Sequence, residues 1–156
     1  MQISVDEFNR LHRELATAMI VFHEAGARRL GMTAAERKCA GLIVELGVTT
    51  PKRLAEMTGL TTGAITGIVD RLERAGYARR KPNPKDRRSV LIRPQNVDRL
   101  AKETRPIFAA LTEAMTKLAG RYSPEQHALI LKHLEGTIAI LREQTAKLER
   151  SSRTRR

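Results

Sequence analysis

The tightest constraint in the sequence is a trio of small and branched residues, Ala55, Gly59 and Ile65, set across two short apolar runs. The first run, residues 52–57, carries Leu54, Ala55 and Met57. The second, residues 62–75, carries Ile65, Ile68, Val69 and Leu72 at the period of an amphipathic helix. Two helices crossing steeply over a short turn need a small side chain where the backbones meet and a residue tolerant of positive φ at the corner. They also need a branched apolar anchor on the second helix. Ala55, Gly59 and Ile65 meet those needs in chain order. The pattern predicts a helix-turn-helix, whose second helix is shaped to enter a DNA major groove.

The following residues sharpen that reading. Gly76 stands where a helix-ending glycine belongs, and residues 77–81 can run as a short strand. A Pro82-Asn83-Pro84 turn then leads to the basic tip Lys85-Asp86-Arg87-Arg88, and residues 89–93 read as the returning strand. A basic hairpin directly after a recognition helix is a wing. Residues 60–88, LTTGAITGIVDRLERAGYARRKPNPKDRR, resemble the recognition helix and wing of MarR-type transcriptional regulators, including the Asp-x-Arg wing signature at Asp86 and Arg88. The likeness extends more weakly over the whole chain, through the lengths and helical character of the flanks.

The fold class expected is therefore mainly α: a winged helix-turn-helix head with a two-stranded β wing, and N- and C-terminal helices forming a dimerisation bundle. Residues 1–31 would be the N-terminal dimerisation helix, 32–94 the DNA-binding region, 95–150 the C-terminal dimerisation helices and 151–156 a basic disordered tail. Phe8, Leu11, Leu15, Met19 and Phe22 stripe the first helix. Thr33 and Glu36 form a capping box that opens the second helix, Thr50 and Pro51 open the third, and Thr61 caps the recognition helix. A helix from 97 to 120 carries Pro106 inside it, where a kink is expected. Ser123 and Gln126 cap the last helix, where Leu131, Leu134, Ile138, Leu141, Thr145 and Leu148 recur at spacings of three and four, a packing seam. An apolar helical surface too large for a small head to cover predicts a two-fold homodimer on a pseudo-palindromic operator in double-stranded DNA.

The expected DNA contacts are Thr50, Thr61, Thr62, Gly63, Thr66, Arg71 and Arg74 on the helix-turn-helix, with Lys85, Asp86, Arg87 and Arg88 on the wing. With Ile65, Ile68, Val69 and Leu72 buried, helical geometry puts Gly63, Gly67, Asp70 and Arg74 opposite the core, with Thr66 and Arg71 at the edges. Two outward glycines read either as a close backbone approach to DNA or as tolerated helix irregularity. Family members often carry a long polar or basic residue where this chain has Gly67, so base readout is expected to fall mainly on Thr62 and Thr66. Asp70 is expected to pair with Arg74 one turn on. The resemblance implies that Arg88 enters the minor groove with Asp86 orienting it, while Lys85 and Arg87 meet phosphates; the alternative is that Asp86 and Arg88 merely close the hairpin.

Charge agrees with a phosphate-binding partner. Of the formal +12, residues 1–60 carry +1, residues 61–94 carry +6 and residues 95–156 carry +5, so half the excess sits in the reading element. A generally basic surface is the plainer alternative, and an architectural DNA-coating protein without a defined operator is the competing function. With 3% aromatic residues and no Trp, a base-stacking single-strand or RNA platform is disfavoured. The 156 residues make one ordinary domain with no catalytic constellation and no cofactor motif. They also contain neither a signal-peptide pattern nor a membrane-length apolar run, which predicts a cytoplasmic protein.

Cys39 cannot form an internal disulfide and reads as a buried structural cysteine, the alternative being a redox sensor. His12, His23, His127 and His133 lack a ligand partner at metal spacing. The resemblance implies a small aromatic or anionic effector bound between the dimerisation helices and each head. Arg13, Met19, Phe22 and His23 are candidates to line that crevice, though they fit core and surface positions equally well.

Overall fold

The computed structural model describes residues 4–84, 86 and 89–154. The elements run α1 (Val5–Arg28), α2 (Ala34–Leu46), α3 (Pro51–Thr58), α4 (Thr62–Arg74), β1 (Ala78–Pro82), β2 (Val90–Pro94), α5 (Val97–Ala119) and α6 (Pro124–Thr154). The chain divides into two compact units, Met1–Ile107 and Phe108–Arg156. The expected architecture, mainly helical with one two-stranded antiparallel sheet, is the one observed.

Local chemistry sets the boundaries within the first unit. The Thr33 hydroxyl accepts from the Glu36 amide at 3.2 Å while the Glu36 carboxylate accepts from the Thr33 amide at 2.8 Å, the reciprocal box that starts α2. Gly59, at φ 71°, turns the chain between α3 and α4, and its amide donates to the Ala55 carbonyl at 2.9 Å. α4 ends in a Schellman motif: the Gly76 amide donates to the Glu73 carbonyl at 3.0 Å and the Tyr77 amide to the Leu72 carbonyl at 2.8 Å. Gly76 takes φ 80°, which a Cβ would oppose.

Those elements close on an aliphatic core. Cys39 and Ile43 of α2, Leu54 of α3, Ile65, Val69 and Leu72 of α4 and Ile92 of β2 are fully buried. β1 and β2 pair antiparallel from Ala78↔Pro94 to Pro82↔Val90. Thr49 adds a third edge, exchanging two backbone hydrogen bonds with Ile92 at 2.9 and 2.8 Å. A single bridging residue has no period, so it was invisible in the sequence pattern. Two further joins hold the start of α5 to the head. Asn96 donates from Nδ2 to the Gly76 carbonyl at 2.8 Å, and the Tyr77 hydroxyl donates to Glu103, whose carboxylate also takes Arg99 Nε at 2.8 Å.

The long helices carry exposed apolar residues. On α1, Leu11, Leu15 and Met19 are exposed, and only the last turn, at Gly26 and Ala27, is buried. α5 passes through Pro106 without ending. In the second unit the Ser123–Gln126 box opens α6 as expected, with the Ser123 amide donating to Gln126 Oε1 at 2.8 Å. α6 then runs to Thr154, which corrects the expected disordered stretch from 151. No Gly or Pro follows Gly136 to stop it, and adding a residue to an established helix is far easier than starting one. Among the described residues no helix is long and apolar enough to cross a membrane.

Candidate nucleic-acid interface

α4 presents the face the sequence assigns to it. Ile65, Ile68, Val69 and Leu72 are buried, and Thr62, Gly63, Thr66, Asp70 and Arg74 are exposed. Thr61 caps the helix, its hydroxyl accepting from the Ala64 amide at 3.2 Å, and Thr50 does the same for α3 with the Arg53 amide at 3.2 Å. Both threonines therefore sit at helix N-termini, where the partial positive charge favours phosphate. The Thr66 hydroxyl donates to the Thr62 carbonyl at 3.0 Å, leaving its methyl and an oxygen lone pair to face outward.

The acidic residues of α4 are not paired as the helical spacing predicts. Asp70 does not hold Arg74 through its carboxylate; Arg74 Nε reaches only the Asp70 carbonyl, at 3.4 Å. The Asp70 carboxylate instead takes Arg80 Nη1 at 2.6 Å. Arg80, on β1, also pairs with Glu73 and donates from Nη2 to the Thr66 carbonyl at 3.1 Å. Its backbone amide donates to Glu73 as well, at 2.5 Å. One wing-strand arginine thus neutralises two carboxylates and pins the wing to the recognition helix. Arg80 is not among the residues expected from the sequence, although a signal for it exists there: it shares the inward side of a period-two strand with buried Ala78, and an arginine on that side needs an anion.

Arg71 is also engaged. Its Nε donates to Glu36, the capping-box residue of α2, whose side chain is only 8% exposed against 51% for Arg71. Burial pushes the Glu36 carboxyl up, but the Thr33 amide and Arg71 outweigh it and hold the group below its ordinary value. Close by on α2, the Cys39 thiol is buried, and its burial and then the Glu36 charge raise it above the usual thiol range, so the reactive thiolate is disfavoured.

At the wing tip, the Asp86 amide donates to the Asn83 carbonyl at 3.3 Å, and the Asp86 carbonyl accepts from the Ser89 amide at 3.0 Å. Asn83 Nδ2 donates to Ser89 Oγ at 2.7 Å, closing the turn across its base. Lys85, Arg87 and Arg88 lie outside the described residues. Among the described residues no group of three or more His, Cys, Asp or Glu is placed to hold a metal ion.

Comparison with known proteins bears on this geometry directly. The MarR family model matches residues 41–90, from mid-α2 to the first residue of β2. Over 140 residues, 90% of this chain and 90% of the other, the sequence is 36% identical to the uncharacterized HTH-type transcriptional regulator YcgE of Bacillus subtilis. The chain belongs to the MarR family. It is a MarR-type transcriptional regulator, and the multiple antibiotic resistance protein MarR of Escherichia coli is 38% identical over 64 residues, 41% of this chain and 44% of that protein. Solved MarR-family structures share the fold. FabT of Streptococcus pneumoniae, in complex with DNA, superposes with a TM-score of 0.76 at 22% identity, covering 90% of this chain and 99% of that one. Wild-type apo MarR of E. coli gives 0.65 at 22% identity, covering 88% and 98%.

Proposed function

We propose that two copies of this chain bind one pseudo-palindromic operator in double-stranded DNA and repress transcription from it, with affinity set by a small effector. The observation carrying this reading is the outer face of α4. Threonines and glycines line it, and both of its acidic residues are occupied by Arg80, so the face offers hydrogen-bonding groups and methyls to base edges without repelling phosphates. Thr62, Gly63 and Thr66 face the bases, Thr50, Thr61 and Arg74 meet the backbone, and the wing residues Lys85, Asp86, Arg87 and Arg88 serve the adjacent minor groove. The uncovered apolar residues of α1 and α6 supply the dimer contacts. The protein works in the cytoplasm and makes no covalent chemistry of its own.

A cleft between α1 and α2 is a candidate effector site. Met19, Ile20 and His23 of α1 and Ala34, Arg37 and Lys38 of α2 line a half-open cleft of about 420 Å³, with apolar side chains from α1 and two cationic ones from α2, which suits a small aromatic anion. Met19 and His23 are among the residues singled out from the sequence; Arg13 and Phe22 face a separate groove lined by α1 alone. An effector acts by binding one head spacing better than another.

The net charge of +12 favours one competing function, an architectural protein that coats DNA. Affinity for a selected operator and for random duplex, compared at moderate salt, separates the two. A regulator prefers its operator by roughly a thousandfold or more, and a coating protein shows a ratio near one.

A further inference from the structure

We infer that Arg71, held by Glu36 across the bare backbone of Gly67, is the α4 side chain that reads a guanine in the major groove. The inference rests on the operator-binding reading above and goes further, by assigning one side chain to one kind of base.

Long helical side chains lean toward the helix N-terminus and cover the residue four positions back. For Arg71 that residue is Gly67, and a Cβ built on Gly67 would stand 3.6 Å from Arg71 Nη1. The tip of the guanidinium therefore lies over position 67, near the outermost line of α4. A long side chain at 67 would occupy the same space; here the glycine leaves it open and residue 71 fills it from the flank.

Glu36 fixes how the fork is presented. Its carboxylate is buried and held at both ends, one oxygen accepting from the Thr33 amide at 2.8 Å and the other taking Arg71 Nε. Stripping the partner from a buried carboxylate is strongly unfavourable, so Arg71 stays on Glu36 when DNA arrives. With Nε engaged, the Arg71 guanidinium makes no other hydrogen bond among the described residues, and its two terminal nitrogens remain as a planar pair of donors. Guanine is the base whose major-groove edge offers two adjacent acceptors, O6 and N7, to such a pair. The neighbouring acids cannot draw the fork back, because Asp70 and Glu73 are already bound to Arg80.

The test uses the full chain and an operator obtained by selection, in which each guanine in turn is replaced by 7-deazaguanine, which lacks the N7 acceptor. Wild-type protein should lose roughly five- to 150-fold affinity at one guanine per half-site. Arg71→Ala should bind the unmodified operator more weakly by a similar factor, become indifferent to 7-deazaguanine at that position, and keep the wild-type salt slope. Glu36→Gln retains a cap acceptor for Thr33 but weakens the hold on Arg71, and should reduce discrimination at the same guanine. Gly67→Leu keeps both partners, obstructs the space over the helix, and should do likewise, with circular dichroism confirming that each variant is folded.

Arg71→Ala remaining as sensitive as wild type to every 7-deazaguanine replacement would overturn the inference while leaving operator binding intact. So would a uniform loss across sequences with the salt slope lowered by about one, the signature of a phosphate contact. A wild-type protein with no operator preference would remove the operator reading and this inference with it.

Discussion

Regular apolar spacing occurs in both the head and the long helices, yet it leads to different ends. Ile65, Ile68, Val69 and Leu72 on α4 are at most 4% exposed, whereas Leu131, Leu134, Ile138 and Leu141 on α6 are between 44% and 62% exposed. The head succeeds because short elements in three directions, α2, α3 and α4, meet the strand residue Ile92 and exclude water from every side. A 31-residue helix offers its stripe along one line only. Periodicity therefore tells which face of a helix wants covering, and the surrounding chain decides whether it is covered within one copy.

The strongest way to break this contrast is to damage each side in turn. Ile65→Ala, at a fully buried site, should cost about 2–5 kcal/mol in urea denaturation, and the loss should not depend on protein concentration. Leu134→Glu with Leu141→Glu should leave the head folded but shift sedimentation toward monomer and weaken operator binding severely. A dimer unaffected by both charges would move the interface off α6. Smaller but more pointed is Arg80→Ala, which leaves Asp70 and Glu73 without their counter-ion; the head should lose about 1–3 kcal/mol, and operator affinity should fall as two carboxylates face the groove.

Smaller still, Gly63→Ala, in the first turn of α4, should stabilise the head by about 0.4–1 kcal/mol, since its Cβ would meet nothing within 4 Å. If close approach of backbone to DNA is what the glycine serves, the same variant will bind the operator less well. An unchanged affinity would make Gly63 a tolerated irregularity. pH supplies the finest probe. The Glu36 carboxyl lies below its ordinary 4.5 in the folded head, so it contributes stability that is present above that value and lost as pH falls through the lower folded one. Acid unfolding of Glu36→Gln should accordingly lack part of that slope.

What the sequence disclosed was local. The Thr33–Glu36 box, the Pro51 and Thr61 starts, the Gly59 corner and the Gly76 stop each depend on residues within a few positions of one another, and each forms. What it hid was long in range or had no period. Helical spacing offered Arg74 to Asp70, but Arg80 comes back on a strand and reaches the carboxylate with a fork already anchored on Glu73. Helical spacing places Arg71 at the edge of the outer face of α4, but says nothing of the Glu36 partner 35 residues earlier that holds it. The pairing of Thr49 with Ile92 belongs to the same class. For the interface, the face was legible and its electrostatic wiring was not.

Hydroxyl-radical footprinting on a selected operator tests the central claim most directly, because it reports register and symmetry together. Two protected half-sites related by a dyad, their centres about one helical turn apart, are the predicted result. Protection spread evenly along the duplex, or confined to a single asymmetric site, would contradict the account of two winged heads presented by paired chains.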